Sequence, residues 1–143
     1  MIVQAIVLGA SQRARIVAIA ERAYPEECCG LLVGLDDPDG RIVVTRLVES
    51  RNLRTERARD RFEIDPQVRI TVEIELRGRA ERVVGHYHSH PDHPARPSAT
   101  DLESAYEPNL VWVIVGVADG LAGELNAFRL DEAAGAFEPL PMV

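Results

Sequence analysis

All four histidines of this 143-residue chain fall in one window, HYHSHPDH at positions 86–93. Imidazole titrates near neutral pH and binds metal through a neutral ring nitrogen, so this window holds the densest potential for chemistry in the sequence. On an extended strand alternate side chains share a face, so His86, His88 and His90 can project the same way. Two imidazoles at i and i+2 can reach one metal ion. A catalytic zinc site then needs a third protein ligand and keeps one position open for water. The nearby carboxylates are Asp92 and Asp101. Asp92 follows Pro91 directly and has little freedom to fold back, whereas Asp101 can return across the loop. His88, His90 and Asp101 therefore form a His₂-carboxylate set. A blander reading competes: a loop rich in histidine and proline is often solvated and picks up metal adventitiously. Ser98-Ala99-Thr100-Asp101 also reads as a helix capping box with Asp in place of Glu. The cap and the ligand readings coexist, because a cap fixes where the carboxylate points.

Periodicity gives the strands and helices around these residues. Residues 2–8 (IVQAIVL) read as a short strand. Ile16, Val17, Ile19, Ala20 and Ala23 then follow helical spacing from Ser11, a candidate N-cap, to about Ala23, with Pro25 ending the helix. Residues 29–35 form an apolar run suited to a buried strand, DDPDG at 36–40 is a turn, and RIVVTRLVE alternates like a returning strand. Residues 51–61 hold five arginines and almost nothing apolar, which predicts an exposed loop. A helix is predicted over 66–79, with Pro66 in its first turn and Val68, Val72 and Leu76 on one face. A strand over 82–87, a proline-rich loop over 91–97, a short helix over about 98–105 and strands at 110–118 and 124–130 complete the reading. Strands and helices mix without βαβ alternation, so the expected class is α+β, one domain over 1–143 with a mainly antiparallel or mixed sheet.

Composition narrows the function. The net charge of −7 argues against general nucleic-acid binding, which draws most of its affinity from a basic surface. All sixteen basic residues are arginine, which removes a Schiff-base or phosphate-loop lysine from consideration. The two cysteines, Cys28 and Cys29, are adjacent, so neither a disulfide framework nor a cysteine-rich zinc site is expected. No apolar run approaches a bilayer span, and the start lacks a basic n-region, so the expectation is a cytoplasmic protein without a membrane partner.

Residues 85–101, GHYHSHPDHPARPSATD, resemble the JAMM motif of the JAMM/MPN zinc metallopeptidase family, H-x-H-x(10)-D, at His88, His90 and Asp101. Ser98 falls on the serine of that family's S-x-x-D ending. The upstream ECCGLLVG stretch resembles the family's E-x-C-G context and favours Glu27 over Glu26. ARDRFEIDP is similar to compact bacterial members.

The resemblance implies zinc (Zn²⁺) on His88, His90 and Asp101, Glu27 as the group that takes and returns a proton, and Ser98 as donor to the developing oxyanion. It further implies a curved mixed sheet flanked by helices. The implied activity is hydrolysis after the C-terminal Gly-Gly of a ubiquitin-like sulfur-carrier protein or its amino-acid adduct. The same resemblance carries two alternatives: a non-catalytic MPN scaffold, and a JAB-domain protein linked to DNA repair. A nucleotide deaminase would need H-x-E and P-C-x-x-C, which are absent. His86 departs from the bulky apolar residue usual in relatives and is read as structural, His93 as an exposed loop residue. Arg51, Arg54, Arg57 and Arg59 offer a docking surface for an acidic carrier, against the simpler reading of a solvated loop. A homodimer is compatible with these features.

Overall fold

The computed structural model describes residues 3–143. Seven strands form a single mixed sheet in the order β1-β3-β2-β4-β5-β6-β7. They are β1 (Ala5–Val7), β2 (Cys29–Asp36), β3 (Arg41–Ser50), β4 (Arg82–Pro91), β5 (Val111–Ala118), β6 (Leu121–Asp131) and β7 (Ala136–Leu140). Three helices accompany them: α1 (Ala10–Ala23), α2 (Pro66–Glu75) and α3 (Ala99–Glu103). The sheet curls until its edges meet, because Met142, just beyond β7, bridges Ile6 of β1. This is the expected α+β class. No helix among the described residues is long and apolar enough to cross a membrane.

The curl gives the sheet two faces. Ile16, Ile19 and Ala20 of α1 pack against Ile6, Leu32, Val84, Tyr87 and the valines of β5 to make the main apolar core. On the other face α2 closes a smaller cluster around Leu31, Val33, Val72 and Val83, beside a third around Ala95, Trp112, Ile114 and Phe128. Burying one such aliphatic side chain contributes roughly 1.5–3 kcal/mol, so α1 alone anchors its face firmly. In β4, Leu32 pairs with Gly85 but Val33 with Val83, leaving Val84 as an extra residue. That bulge lets Val84 and Tyr87 both face α1, while Val83 and the histidines face away.

Several boundaries differ from expectation for identifiable reasons. The N-cap of α1 is Gly9, not Ser11, and the Gln12 side chain accepts the Gly9 N–H at 2.8 Å. The expected strand over 2–8 is shorter, and its first residue, Ile2, lies outside the described residues. Helix α2 stops at Glu75 rather than Arg79, because Gly78 turns the chain at φ 76°. Strand β4 continues past Tyr87 to Pro91, since β5 pairs with it in parallel as far as Pro91↔Val117. The strand expected from 124 begins at Leu121, and β7 was not legible, because a five-residue strand containing Pro139 lacks an alternating apolar signature.

Candidate metal centre

Strand β4 carries His86, His88 and His90 on one face, and β2 runs antiparallel beside it. Cys29 lies across from His88, so the same register places Glu27 across from His90. The approach to β2 is tied down at each step. The Glu27 N–H donates to Ala58 O at 2.7 Å, Asn52 Nδ2 donates to Glu27 O at 3.2 Å, and the Cys28 N–H donates to Ser89 Oγ at 2.8 Å. From the other side, α3 brings in Asp101. Its N–H donates to Ser98 Oγ at 3.0 Å, and the Ser98 N–H donates to Asp101 Oδ2 at 2.9 Å, so the capping box is real and aims the carboxylate at the histidines.

Three donor atoms meet there. His88 Nε2 and His90 Nε2 are 3.1 Å apart, and Asp101 Oδ2 lies 3.4 Å from the first and 3.0 Å from the second. Glu27 joins them, with ligand atoms of Glu27, His88 and His90 mutually within 4.8 Å. His90 Nδ1 lies 2.8 Å from the Pro94 carbonyl, which can only accept, so Nδ1 carries the proton and Nε2 presents a lone pair to the cluster. All four residues are buried, and Glu27 Oε1 has no hydrogen-bond partner.

Electrostatics separate the two acids. Burial alone would raise Asp101, but the adjoining His88 and His90 rings and the Ser98 N–H outweigh it and hold this carboxyl well below the usual range. Burial, reinforced by the charges of Asp101 and Asp60, pushes Glu27 up to about 9. Burial also lowers His88, against the pull of Asp101, and lowers His86 to about 3. Converging lone pairs, an ionised carboxylate and an orphaned acid make an arrangement that a cation would complete, and a cation would also favour the ionised form of Glu27.

Residues 9–131 match the family described as prokaryotic homologs of the JAB domain. The chain belongs to this JAB-domain family. It is 32% identical over 141 residues to the CysO-cysteine peptidase of Mycobacterium tuberculosis, covering 99% of this chain and 93% of the relative. It is 38% identical over 90 residues to the desampylase of Haloferax volcanii, covering 63% of this chain and 62% of that one. Among solved structures, a protein from Desulfitobacterium hafniense superposes with a TM-score of 0.81 at 30% identity, over 96% of this chain and 91% of the other. A Salinibacter ruber protein gives 0.73 at 37% identity, over 98% and 90%.

Glu26 is exposed while Glu27 is buried. Asp92 points away from the cluster, accepting the Tyr24 hydroxyl at 2.8 Å and the Asp119 N–H at 3.0 Å. His86 is buried edge-on against Trp112, with ring centroids 4.3 Å apart. His93 is exposed. The 51–61 loop is mostly exposed, but Ala58 is buried and Asn52 bridges Ile64. Its arginines are largely paired: Arg57 with Asp60 at 2.7 Å, Arg51 with Asp65 at 3.7 Å and Arg59 with Asp92 at 4.0 Å.

Sequence reasoning missed two supports. Ser89, between the histidines but on the opposite face, fixes the Glu27 segment, a role readable only once β2 and β4 are known to pair. Phe62 stacks on the His88 ring at 4.3 Å, and nothing in its local sequence signals that contact.

Proposed function

We propose that the protein is a zinc-dependent peptidase that hydrolyses the bond after the C-terminal Gly-Gly of a ubiquitin-like sulfur-carrier protein or its amino-acid adduct. The observation that carries this reading is the meeting of His88 Nε2, His90 Nε2 and Asp101 Oδ2 at 3.0–3.4 Å with Glu27 beside them. The names of the similar proteins, CysO-cysteine peptidase and desampylase, support the substrate class.

His88, His90 and Asp101 would hold the metal, since Asp101 Oδ2 touches both imidazoles and its loop is braced through Ser98. A zinc ion there would polarise the scissile carbonyl and make water a competent nucleophile near neutral pH. Glu27, buried and unpaired at Oε1, takes the proton of the attacking water and passes it to the leaving amine. Ser98 lines the same cavity as Glu27 and His90. Its oxygen already accepts the Asp101 N–H, so its own hydrogen is free to donate to the carbonyl oxygen as charge develops.

The test is turnover by zinc-loaded protein of a small bacterial carrier bearing a C-terminal adduct, compared with ubiquitin chains. Between β2 and β4 the chain offers one turn, one strand, one loop and one helix, and no long insertion to grip ubiquitin. Faster cleavage of the carrier is expected, because remote contacts orient the scissile bond. Equal rates on both substrates would refute the specificity.

A further inference from the structure

Two kinds of leaving group suit the proposed chemistry, a single terminal amino acid and a protein joined through a side-chain amine, and the cavity beside Glu27 distinguishes them. It measures about 220 Å³ and is lined by Glu27, Asp60, His90, His93, Arg96, Ser98 and neighbours. Its charges are unevenly committed. Asp60 is neutralised by Arg57 at 2.7 Å and Arg61 at 3.8 Å, whereas Arg96 is exposed and pairs with no carboxylate among the described residues.

The segment carrying Arg96 is held rigidly. Its backbone runs between Pro94 and Pro97, and the Arg96 N–H donates to the Pro94 carbonyl at 2.9 Å. Ala95 is buried beside Trp112 and Ile114, and its carbonyl accepts Asn126 Nδ2 at 2.9 Å. The Pro94 carbonyl also meets His90 Nδ1 at 2.8 Å, so the segment is braced against a residue of the metal cluster itself. The bracing fixes the backbone from which the Arg96 side chain lines the cavity, and a guanidinium without a carboxylate partner suits a planar anion.

We infer that Arg96 binds the free α-carboxylate of a single C-terminal amino acid, making the protein a peptidase that removes one terminal residue from its carrier in preference to cleaving side-chain isopeptide links. This rests on the peptidase reading above. Water's oxygen ends on the glycine carbonyl carbon, the C–N bond breaks, the carrier leaves as a carboxylate, and the amine departs with a proton from water. Arg96 holds the departing residue by its other end and takes no part in bond breaking, so it is a specificity-determining residue.

The test uses a small ubiquitin-like carrier ending in Gly-Gly-Cys, prepared as the free acid, as the C-terminal amide and with four further residues appended. Zinc-loaded wild type is expected to favour the acid over the amide by about tenfold in kcat/KM, the effect of one partly shielded ion pair, with the ratio shrinking as salt rises. Arg96→Ala brings the acid down towards the amide, Arg96→Lys keeps part of the preference, and Arg41→Ala, remote from the cavity, keeps all of it. An acid-to-amide ratio near one in wild type, or a full ratio surviving in Arg96→Ala, overturns the inference while leaving the peptidase reading intact. Calorimetric binding of the same carriers to Glu27→Gln protein separates the two claims. Tighter, Arg96-dependent binding of the acid without hydrolysis by wild type would refute the peptidase and uphold the carboxylate site. Neither binding nor hydrolysis of any form refutes both.

Discussion

The two faces of β4 are buried to the same degree and spend that burial differently. Toward α1, Val84 and Tyr87 sit at 0% exposure in an apolar cluster, with one unpaired polar atom, the Tyr87 hydroxyl. Toward the site, His88 is equally buried, yet it meets a carboxylate and a second imidazole, and Glu27 Oε1, His86 Nδ1 and His88 Nδ1 all lack partners. Each unpaired buried group costs about 1–3 kcal/mol, so the second face gives up stability that the first supplies. Depth of burial does not separate core from chemistry; the company a polar atom keeps does.

The largest expected effects lie on the histidine face. Glu27→Gln should keep the shape and the metal while removing the proposed proton acceptor, so turnover on a true carrier substrate should fall by about 100-fold or more. Ser98→Ala should likewise retain metal and slow turnover by about 100-fold. Metal content and steady-state rates measured on the same samples check both, and a near-normal rate in Glu27→Gln would move the base elsewhere, with Glu26 next to be examined.

On the α1 face the sensitive position is Gly30, which pairs with Tyr87 across the β2–β4 ladder. A Cβ there would sit 2.3 Å from the Tyr87 ring. Gly30→Ala should destabilise by roughly 1–3 kcal/mol in denaturant unfolding while leaving the metal set in place. Little change in stability would mean that Tyr87 is not wedged as described.

Cys28 and Cys29 sample both faces, one in the α1 core and the other across from His88. Burial pushes their thiols up to about 11 and about 12. In the unfolded chain both ionise near pH 9, so above that value the folded state binds more protons and stability falls as pH rises toward 11–12. Urea unfolding at pH 8 and pH 10 should show this loss, and iodoacetamide should label neither thiol in the native state at pH 8. Fast labelling of Cys29 alone would show that the site face is open.

The smallest effect belongs to the arginine loop. With Arg51, Arg57 and Arg59 each within 4.0 Å of a carboxylate, reversing Arg54 and Arg59 to Glu should raise KM for a carrier only a few-fold, and only at low salt. An unchanged KM removes the dock without touching the metal chemistry.

Much of this arrangement was legible in the sequence because its signals are local. The histidine spacing, the Ser98–Asp101 cap and the break at Pro25 each act over a few residues. What stayed hidden depends on pairing between distant segments. That β4 runs on to Pro91 follows from β5 beside it, and that Ser89 braces Glu27 follows from the β2 register. The pairing of Arg51 with Asp65 and of Arg59 with Asp92 is likewise tertiary, whereas Arg57 pairs with Asp60 inside the loop itself. Ser11 looked like a cap on side-chain type alone, whereas Gln12, with a longer reach, performs the capping contact from inside the helix.

Elemental analysis of wild type, His88→Ala and Asp101→Ala purified in parallel decides whether His88, His90 and Asp101 form one metal centre. Close to one zinc per chain is expected in wild type, and loss of most of it in both variants, with the domain still folded on its own core. Wild-type protein that neither carries zinc nor takes it up on titration, or an Asp101→Ala variant that keeps the full complement, would contradict it.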